Sequence, residues 1–588
     1  MPCPYDDPAR NGGVSNSRDP HDGECSGPHG ALPPFAITHS AVRRRTVRQH
    51  WRTRRVATAW SVTRAALILA LSAVSSGALG LGQPDAAPAV IRSFVDAGVH
   101  PDLRWQRFAD QQEHVRQAYE AVQFAPLWVH GGKPTAQADE VIARLAAADI
   151  KGLDAADYDA APLAERAERL RAVAAPAADE VGRFDVGVTV ALARFMSDAY
   201  LGRVNPHALG YGLDVEPKTL DVPGLMIELA RDPNPGQRLA ALDPPLPVYA
   251  RLRDALARYR AIAARTDLPP MPNLPKLRPG GSDRDVPVLR AWLSAYGDLP
   301  AGAAARVGAT HYDAALAAAV KRFQHRHGLE PDGVIGATTL RALQVPPAQQ
   351  VRQIELAMER LRWLPSHLPD RFVLVNIPEF RLRGFEDDQP APRVDMGVVV
   401  GSSADRTETP VLQADMRYLI FRPYWLVPTS IATKEILPKA QRDPSYLTRQ
   451  NMSIVNGHIR QGPGPTNSLG LLKFILPNPF HVYLHDTPSK ALFRRVRRDF
   501  SHGCIRVADP PALAEFVLQG QTGWDRARIE EAMKKGPDNH RVDLHTPVPV
   551  YVFYTTVVAE PDGQVDFFDD IYGQDATLDA LLAKRYAH

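Results

Sequence analysis

At the run RFVLVNI, residues 371–377, the spacing of apolar residues along the chain changes from a helical period to that of strands. This run and the later ones are rich in β-branched and aromatic residues and are separated by turns, which is typical of strands. The later runs are FRLRGF (380–385), RVDMGVVVG (393–401), FHVYLHD (480–486) and VPVYVFYTTVVA (548–559). We therefore predict a mostly-β domain over residues 371–558, built as an antiparallel sandwich or barrel, with a C-terminal segment over 559–588.

The chain ahead of this point has a helical period. Apolar residues recur at three and four positions in VRQAYEAVQFAPLWV (115–129), EVIARLAAADI (140–150) and the run over 186–206, and Pro or Gly residues mark the ends of these runs. The pattern predicts an all-helical domain over residues 90–265. The whole chain is thus expected to be an α+β multidomain protein.

A Pro-dense stretch, TDLPPMPNLPKLRPGGSD (266–283), follows the helical domain. Its composition is typical of a linker between folded units. Beyond it, residues 284–346 show apolar residues at helical spacing and a Gly-containing turn before a last helix. We predict a small three-helix domain there.

The first 82 residues form a leader of different composition. An Arg-rich stretch (43–55) precedes an apolar run, AALILALSAVSSGALGLG (65–82), and this order is typical of an export signal. Cleavage near residues 78–82 and retention as an uncleaved anchor both remain open. The leader carries ten Arg and five Asp or Glu, so the formal net charge of +3 leaves −2 for the rest. A nucleic acid partner is therefore not expected.

Cysteine usage restricts the chemistry further. Cys3 and Cys25 lie in the leader, so the exported part holds one cysteine, Cys504. A disulfide framework is excluded, and a lone thiol in an oxidising compartment is a candidate nucleophile. The alternative is a buried Cys that packs as a small hydrophobe.

Two histidines near Cys504 are candidate bases. His502 lies two residues before the thiol and is held by its own backbone, whereas His485 ends a predicted strand and can approach the sulfur from a neighbouring strand. His485 is therefore the predicted base. Gly503 allows backbone amides to turn toward a substrate carbonyl, and Arg506 can bind a carboxylate.

His485 followed by Ser501, His502, Gly503 and Cys504 resembles the signature of the L,D-transpeptidases with a YkuD-type catalytic domain. GVVVGSSADRTETP (397–410) and FRPYWLVP (421–428) resemble further stretches of that domain, the second in the large periplasmic, YcbB-type members. These members also carry a helical scaffold domain and a peptidoglycan-binding domain. Residues 284–346 resemble the latter, through the residues Phe323, Gln324, Asp332, Gly333, Gly336 and Thr339.

The resemblance implies a role for each motif residue. Cys504 would be the acylated nucleophile and His485 its base, with the Tyr483 backbone and the Gly503 to Cys504 backbone as oxyanion donors. Arg506 would be a support or a carboxylate contact, as the large members have Arg where many others have Asn. His502 and Ser501 would be positional, and the backbone carbonyl of Asp486 would orient the imidazole. No metal and no organic cofactor is implied.

The implied reaction is two acyl transfers between peptidoglycan stems. The thiolate attacks the bond between diaminopimelate and D-Ala in a donor tetrapeptide stem, and an acceptor stem's diaminopimelate amine then attacks the thioester, giving a 3-3 cross-link. A lipoprotein lysine or water as acceptor stays open, and so does a three-helix domain that binds no glycan. With the export signal, the resemblance implies the periplasm of a Gram-negative bacterium, and a membrane contact only through an N-terminal anchor.

A long insertion interrupts the β domain over residues 430–470 and ends in a Gly/Pro cluster. Loops of this length are usually functional or disordered, and related proteins carry a mobile lid here. The part IATKEILPKAQRDPSYL (431–447) predicts a short amphipathic helix. Trp425 and Tyr446 are predicted substrate-facing aromatics, with ordinary core aromatics as the alternative. The run RRVRR (494–498) is read as a solvated helix face rather than a binding patch.

Two other function classes fit less well. Cysteine peptidases that hydrolyse peptidoglycan usually place the Cys well before the His, which is the reverse of the order here. A protein that only binds the wall would not need the set of His, Gly, Cys and Arg residues around position 504.

Overall fold

The computed structural model describes residues 86–213, 218–300, 309–387, 389 and 391–584. The predicted leader, with its export signal or anchor, lies outside the described residues. Within those residues no helix combines the length and the apolar composition needed to cross a bilayer. The fold class expected from the sequence is confirmed, because helical regions precede a mostly-β region.

Seven α-helices of the described chain form the first region. They are α1 (Ala86–Ala97), α2 (Gln112–Ala121), α3 (Ala136–Ala146), α4 (Ala160–Ala172), α5 (Ala178–Leu201), α6 (Val222–Leu229) and α7 (Pro235–Ala240). Helix α5 is the centre of their core, since its residues from Val181 to Ala199 are buried, apart from Arg183, and other helices of the region pack against it. A helix that is apolar on every side is typical of the middle of a bundle.

The second helix is shorter than the sequence predicts. The apolar period extends over 115–129, but α2 ends at Ala121 and Phe124 adopts left-handed backbone with φ +62°. Non-Gly residues take this conformation as single residues and not within helices. The chain then forms a two-stranded hairpin, β1 (Val129–His130) with β2 (Lys133–Pro134), so the first region is not entirely helical.

Five further helices belong to a second core. They are α8 (Pro247–Ala263), α9 (Val286–Ala295), α10 (Ala314–Arg326), α11 (Ala337–Leu343) and α12 (Pro347–Leu361). Helix α8 lies within the domain predicted to end at residue 265, yet its buried face, including Leu252 and Tyr259, packs with the three-helix domain. The boundary between the two cores therefore lies before α8, and not after it at residue 265 as the sequence predicts.

The Pro-dense stretch over 266–283 is also part of this second core. Leu274 and Leu277 are buried in it, and Leu277 exchanges backbone hydrogen bonds with Ile335 of the three-helix domain. The stretch therefore does not act as a free spacer, because its apolar side chains supply area that the bundle removes from water.

A buried charged pair joins the regions. Glu359 and Arg362 of the α12 end are fully buried and lie 2.9 Å apart. The Glu359 carboxylate also accepts the backbone N–H of Val204, and Arg362 donates to the Tyr249 hydroxyl at 2.9 Å. Buried charges require such additional hydrogen bonds to offset desolvation. The pair thus connects the end of α5, helix α8 and the entry to the β region.

The β region contains strands that differ widely in length. In chain order they are β3 (Arg371–Asn376), β4 (Arg381–Glu386), β5 (Val394–Gly401), β6 (Leu412–Phe421), β7 (Trp425–Leu426), β8 (Met452–Val455), β9 (His458–Gln461), β10 (Leu472–Ile475), β11 (Leu484–His485), β12 (Asp499–Ser501), β13 (Ile505–Val507), β14 (His540–Phe553), β15 (Val557–Ala559) and β16 (Val565–Phe567).

Nine of these strands form one sheet in the order β12, β5, β13, β11, β10, β6, β14, β3, β4. Strand β4 pairs back with β5, which closes the sheet into a barrel around an apolar core. The sequence predicts an antiparallel arrangement, whereas the pairs β3 with β14, β5 with β12 and β11 with β13 are parallel. Parallel pairs need crossover connections, and the one between β11 and β13 contains the 3₁₀ turn Lys490–Arg494 and β12.

The insertion between β6 and β10 has its own fold. Helical turns over Thr429–Ile431, Ala432–Ile436, Leu437–Arg442 and Tyr446–Arg449 precede a hairpin of β8 and β9, and β9 also pairs with β7. The helical part agrees with the predicted amphipathic helix, with one π-helical turn at 432–436. The hairpin was not predicted, although its Asn456-Gly457 turn has positive φ at both positions, as type I′ turns require.

The remaining helices cover the barrel. Helices Pro510–Val517 and Arg526–Lys535 bury Leu513, Phe516 and Ile529 in its core. The C-terminal segment forms the β15–β16 hairpin and the helix Gln574–Lys584, whose residue Asp575 forms an ion pair with Arg360 of α12 at 2.5 Å.

Candidate active site

Three adjacent strands bring three basic side chains together. In the sheet, His485 of β11 is the register partner of Lys473 on β10 and of Arg506 on β13. Directly opposite residues in neighbouring strands place their side chains on the same face. His485 and Lys473 are both buried, and Arg506 is partly buried. The end of β11 is thus the centre of a cationic cluster beside Cys504.

Cys504 lies in the turn between β12 and β13, and its neighbours fix that turn. Ser501 Oγ donates to the Cys504 carbonyl at 2.6 Å and accepts from the Gly503 N–H at 3.2 Å. Thr409 Oγ1 donates to the Gly503 carbonyl at 2.8 Å. Gly503 has φ +105°, a region that side chains with a Cβ rarely adopt. The backbone around the thiol is therefore held from two sides.

These bonds bear on the predicted oxyanion donors. The Gly503 N–H already donates to Ser501 Oγ within the turn. Tyr483, in contrast, contributes hydrogen bonds from both its backbone and its side chain that lower the pKa of Cys504. Of the predicted donors, Tyr483 is thus the one whose hydrogen bonds act on the thiol.

The groups around the thiol shift the pKa of Cys504 in both directions. Burial raises the pKa of Cys504, while the Tyr483 hydrogen bonds and the positive charges of Lys473 and Arg506 lower it. The net direction is upward, so the resting thiol is protonated at neutral pH. A base must accept its proton before the sulfur can attack.

His485 is oriented for that role. Its Nδ1 donates to the Asp486 backbone carbonyl at 2.5 Å. A carbonyl can only accept, so a neutral ring carries its lone pair on Nε2. Burial first, and then the nearby Arg506 charge, lower the pKa of His485 to about 3. The imidazole is therefore neutral at physiological pH, and its tautomer is fixed by the backbone.

The Asp486 carboxylate forms hydrogen bonds of its own. Its carboxylate accepts from the backbone N–H groups of Leu471 and Thr487 at 2.9 and 2.7 Å and from Lys490 Nζ at 2.7 Å. Asp486 thus contacts the imidazole through its carbonyl, while its carboxylate fastens the loop after β11.

The His502 side chain contacts the insertion. It is exposed, and its Nε2 lies 2.7 Å from Glu435 Oε1. Glu435 belongs to the π-helical turn over 432–436. The residue adjacent to the nucleophile loop therefore forms a direct polar contact with the predicted lid.

Trp425 and Tyr446 pack within the insertion. Both are partly buried and contact a small apolar cluster of Val427, Ile436 and Ile459. The structure thus gives each of them a core contact in the insertion and leaves part of each ring exposed.

The Gly/Pro end of the insertion is more constrained than a free hinge. Asn467 is fully buried, and its Nδ2 donates to the Pro423 and Gly462 carbonyls at 3.1 and 2.9 Å. Gln461 donates to the Gln450 carbonyl at 3.0 Å. The hinge predicted at this end from its Gly and Pro content is thus cross-connected by amide side chains.

The arginine run over 494–498 is not a helix face. Only its first residue belongs to a 3₁₀ turn, Lys490–Arg494. Arg497 forms an ion pair with Asp499 at 2.7 Å, and Arg498 donates to the Val398 and Phe380 carbonyls. Two of its arginines therefore fasten the segment ahead of Cys504 to the barrel.

Lys473 is the residue of the site that the sequence did not single out. Its side chain is almost fully buried, and its Nζ lies 3.8 Å from the centroid of the Tyr483 ring. The lysine occurs in a run of apolar residues, GLLKFIL (470–476), where a charge is unusual. A charged residue within a predicted buried strand was thus the sequence signal that could have identified Lys473.

No group of three or more His, Cys, Asp or Glu residues in the described ranges is arranged to hold a metal ion. The site instead combines a thiol, a neutral imidazole, two cations and donors from Tyr483. That set can activate a sulfur nucleophile and stabilise an oxyanion.

Comparison with known families matches three parts of the chain. Residues 113–256 match a family described as a scaffold domain, residues 282–343 a "putative peptidoglycan binding domain", and residues 370–548 the YkuD family, an L,D-transpeptidase catalytic domain.

A protein of Haemophilus influenzae named "Putative L,D-transpeptidase" is 28% identical over 261 residues, which cover 40% of this chain and 51% of that protein. The chain thus spans about half the length of the curated relative it matches. A crystal structure of a fused Zn-dependent amidase/peptidase/peptidoglycan-binding domain-containing protein from Clostridium acetobutylicum is 13% identical. The alignment covers 47% of this chain and 99% of that one, with a TM-score of 0.14. A likeness at that score supports no conclusion about the fold.

Proposed function

The chain carries an L,D-transpeptidase catalytic domain together with a peptidoglycan-binding domain, and on that premise we propose that it forms 3-3 cross-links in peptidoglycan through a Cys504 thioester. The observation that carries the proposal is the cluster at the end of β11. That cluster combines the neutral His485, whose Nδ1 is bound to a carbonyl and whose register partner Arg506 follows Cys504 by two residues, with Tyr483, whose hydrogen bonds lower the pKa of Cys504.

The first half-reaction consumes a tetrapeptide stem. The Cys504 proton passes to His485 Nε2 as the sulfur attacks the carbonyl carbon of diaminopimelate, and the carbonyl electron pair moves to oxygen. We assign the stabilisation of that oxyanion to the Tyr483 donors, whose hydrogen bonds lower the pKa of Cys504 in the free enzyme. On collapse the C–N bond to D-Ala breaks, and the leaving amine takes the proton from His485.

The second half-reaction uses an amine. The side-chain amine of diaminopimelate on a second stem attacks the thioester carbonyl, and its proton passes through His485 to the departing sulfur. The products are an amide cross-link and the free thiol, so the enzyme returns to its starting state. A lipoprotein lysine or water would release the same thioester, and the products distinguish these acceptors.

The other domains agree with a wall substrate. The match over 282–343 supports docking of the three-helix domain on glycan strands. Peptidoglycan of this type lies outside the cytoplasmic membrane, and we propose that the chain acts in the periplasm of a Gram-negative bacterium.

The test is incubation of the purified protein with disaccharide tetrapeptides and separation of the products by mass. We expect a dimer that has lost one D-Ala, and no dimer with Cys504→Ala. A tripeptide monomer alone would identify water as acceptor. Unchanged substrate, in a protein that is folded by circular dichroism, would contradict the proposal. The same proposal expects one carbapenem equivalent to add to Cys504, as a strained β-lactam carbonyl acylates activated thiolates.

A further inference from the structure

Lys473 is a buried cation without a carboxylate partner in the described part of the chain. It forms no ion pair there, and 6% of its surface is exposed. An uncompensated buried ammonium costs several kcal/mol, and the Tyr483 ring face at 3.8 Å offsets only part of that cost. Buried ionisable groups with perturbed pKa values cluster at functional sites.

The strand register fixes what the ammonium faces. Lys473 lies opposite His485 in the β10–β11 pair, so both side chains point to the Cys504 side of the sheet. Tyr483 lies between them, with its ring 5.8 Å from the His485 ring and its hydrogen bonds on the Cys504 sulfur. Lys473, Tyr483 and the sulfur therefore form one contiguous group.

The sulfur gains negative charge as its proton passes to His485, before the substrate oxygen does. The imidazolium formed in that transfer is disfavoured, since burial lowers the pKa of His485 to about 3, and a further positive charge near the sulfur makes the transfer easier. Burial also lowers the pKa of Lys473, to about 8, and Cys504 opposes the shift by attraction. Lys473 is thus still mostly charged at pH 7 and can balance a thiolate.

We propose that Lys473 is the fixed positive charge that stabilises the Cys504 thiolate, acting from the neighbouring strand across the Tyr483 ring. The role rests on the proposed function, because it assumes that the sulfur reacts as a thiolate. Arg506 contributes from the other side, where its Nε is buried and has no hydrogen-bond partner among the described residues. Lys473 forms no new bond in this role and transfers no proton.

The test measures the thiolate directly. The rate of alkylation of Cys504 by iodoacetamide is followed from pH 6 to 7.5, where Lys473 is mostly charged, in the full chain, with peptide mapping to separate Cys504 from Cys3 and Cys25. Lys473→Met keeps the length of the side chain and removes the charge, whereas Lys473→Arg keeps the charge. Lys535→Met, at an exposed position of the helix Arg526–Lys535, is the matched control.

We expect Lys473→Met to lower the alkylation rate at pH 7 about tenfold or more, the effect of losing an opposite charge at close range. Lys473→Arg and Lys535→Met should remain within about twofold of the unaltered protein. A folded Lys473→Met protein with an unchanged rate at pH 7 overturns the proposal. An equal fall in Lys473→Arg also overturns it, since packing and not charge would then be responsible.

A measurement on the unaltered protein does not depend on the folding of a variant. The titration of the Lys473 side chain is followed by NMR with labelled lysine after Cys504 is alkylated with iodoacetate, which leaves a negative charge beside the sulfur, or with iodoacetamide, which leaves a neutral adduct. We expect a higher midpoint in the charged adduct, and equal midpoints would contradict the proposal. Neither experiment requires acyl transfer, so failure to cross-link muropeptides alongside these results would contradict the proposed function alone.

Discussion

The turn that carries Cys504 and the insertion between β6 and β10 are stabilised by different contacts. The turn is fixed by hydrogen bonds from Ser501 and Thr409 and is joined to a barrel with a large apolar core. The insertion has a core of three buried residues, Val427, Ile436 and Ile459, and leaves Leu437 and Ile454 exposed. The candidate nucleophile thus lies on the more firmly held part, and we expect the insertion to open at a lower cost.

Polar contacts between the two regions are correspondingly sparse. In the residues described, the nucleophile loop reaches the helical part of the insertion through His502 and Glu435. A pair that is exposed on both sides contributes about 0.2–1 kcal/mol. A contact of this size does not hold the insertion firmly against the nucleophile loop.

The largest expected effect concerns the rigid part. Cys504→Ala should abolish acylation by a carbapenem, and His485→Ala should lower its rate by about 10² or more, because the thiol loses its proton acceptor. Intact-protein mass against time measures both. Loss of a greater factor with His502→Ala would contradict the assignment, since His502 contacts Glu435 and not the thiol.

A pair of packing variants tests the contrast in stability. Phe474 in β10 is fully buried in the barrel core, and Phe474→Ala should lower the free energy of unfolding by about 3–5 kcal/mol. Ile459→Ala removes a side chain from the small core of the insertion. We expect it to speed amide exchange over 425–461 and to leave the global unfolding midpoint almost unchanged.

Hydrogen exchange and denaturant unfolding of the two variants provide the measurement. In the unaltered protein the insertion should exchange faster than β10 and β14, and more slowly once Cys504 is acylated. An equal loss of global stability in both variants would show that the insertion unfolds only with the barrel, and the contrast would then fail.

The pH dependence of stability gives a further test of the rigid site. The pKa of His485 is depressed to about 3 by burial, whereas an unfolded chain protonates His near 6.5. The unfolded state therefore binds the extra proton between these values, and stability falls as pH decreases from 6.5 toward 3. Between pH 7 and 5 we expect His485 to account for a loss of about 2 kcal/mol.

Comparison of the unaltered protein with His485→Asn isolates this contribution. The variant should lose about 2 kcal/mol less between pH 7 and 5, measured by urea unfolding at each pH. His545→Asn, at an exposed position of β14, should behave as the unaltered protein does. An identical pH dependence in His485→Asn would show that the imidazole is solvated in the native state.

The same contrast explains how much the sequence could predict. The barrel strands follow the alternation and β-branched content that mark half-buried strands, and the signature around Cys504 is local, so both were found. Lys473 was missed because its partner in the sheet, His485, is set by register and not by sequence distance. The packing of α8 and of Leu277 against the three-helix domain also depends on tertiary contacts that no local period records.

The insertion shows the opposite limit. Its length and its Pro and Gly content indicated a functional loop, yet those residues did not reveal that Asn467 and Gln461 cross-connect its ends. An amide side chain in a turn can bind water or a backbone group, and the local sequence is similar in both cases. Only the positions of the carbonyl acceptors in the folded chain show which of the two it binds.

The smallest expected effect addresses the contact between the two regions. Glu435→Gln keeps the shape of the side chain and removes its charge from His502 Nε2, 2.7 Å away. Since an exposed pair contributes up to about 1 kcal/mol, we expect amide exchange over 429–442 to quicken by up to about fivefold. The share of hydrolysed tripeptide should rise by a similar factor, because an open insertion admits water to the thioester. The acylation rate of Cys504 should not change, and the difference should shrink at high salt. Glu530→Gln, which alters an exposed pair with Arg526 in the same domain, is the matched control. Slower acylation with unchanged partitioning in Glu435→Gln would place the contact in the donor step and remove the gating role from the insertion.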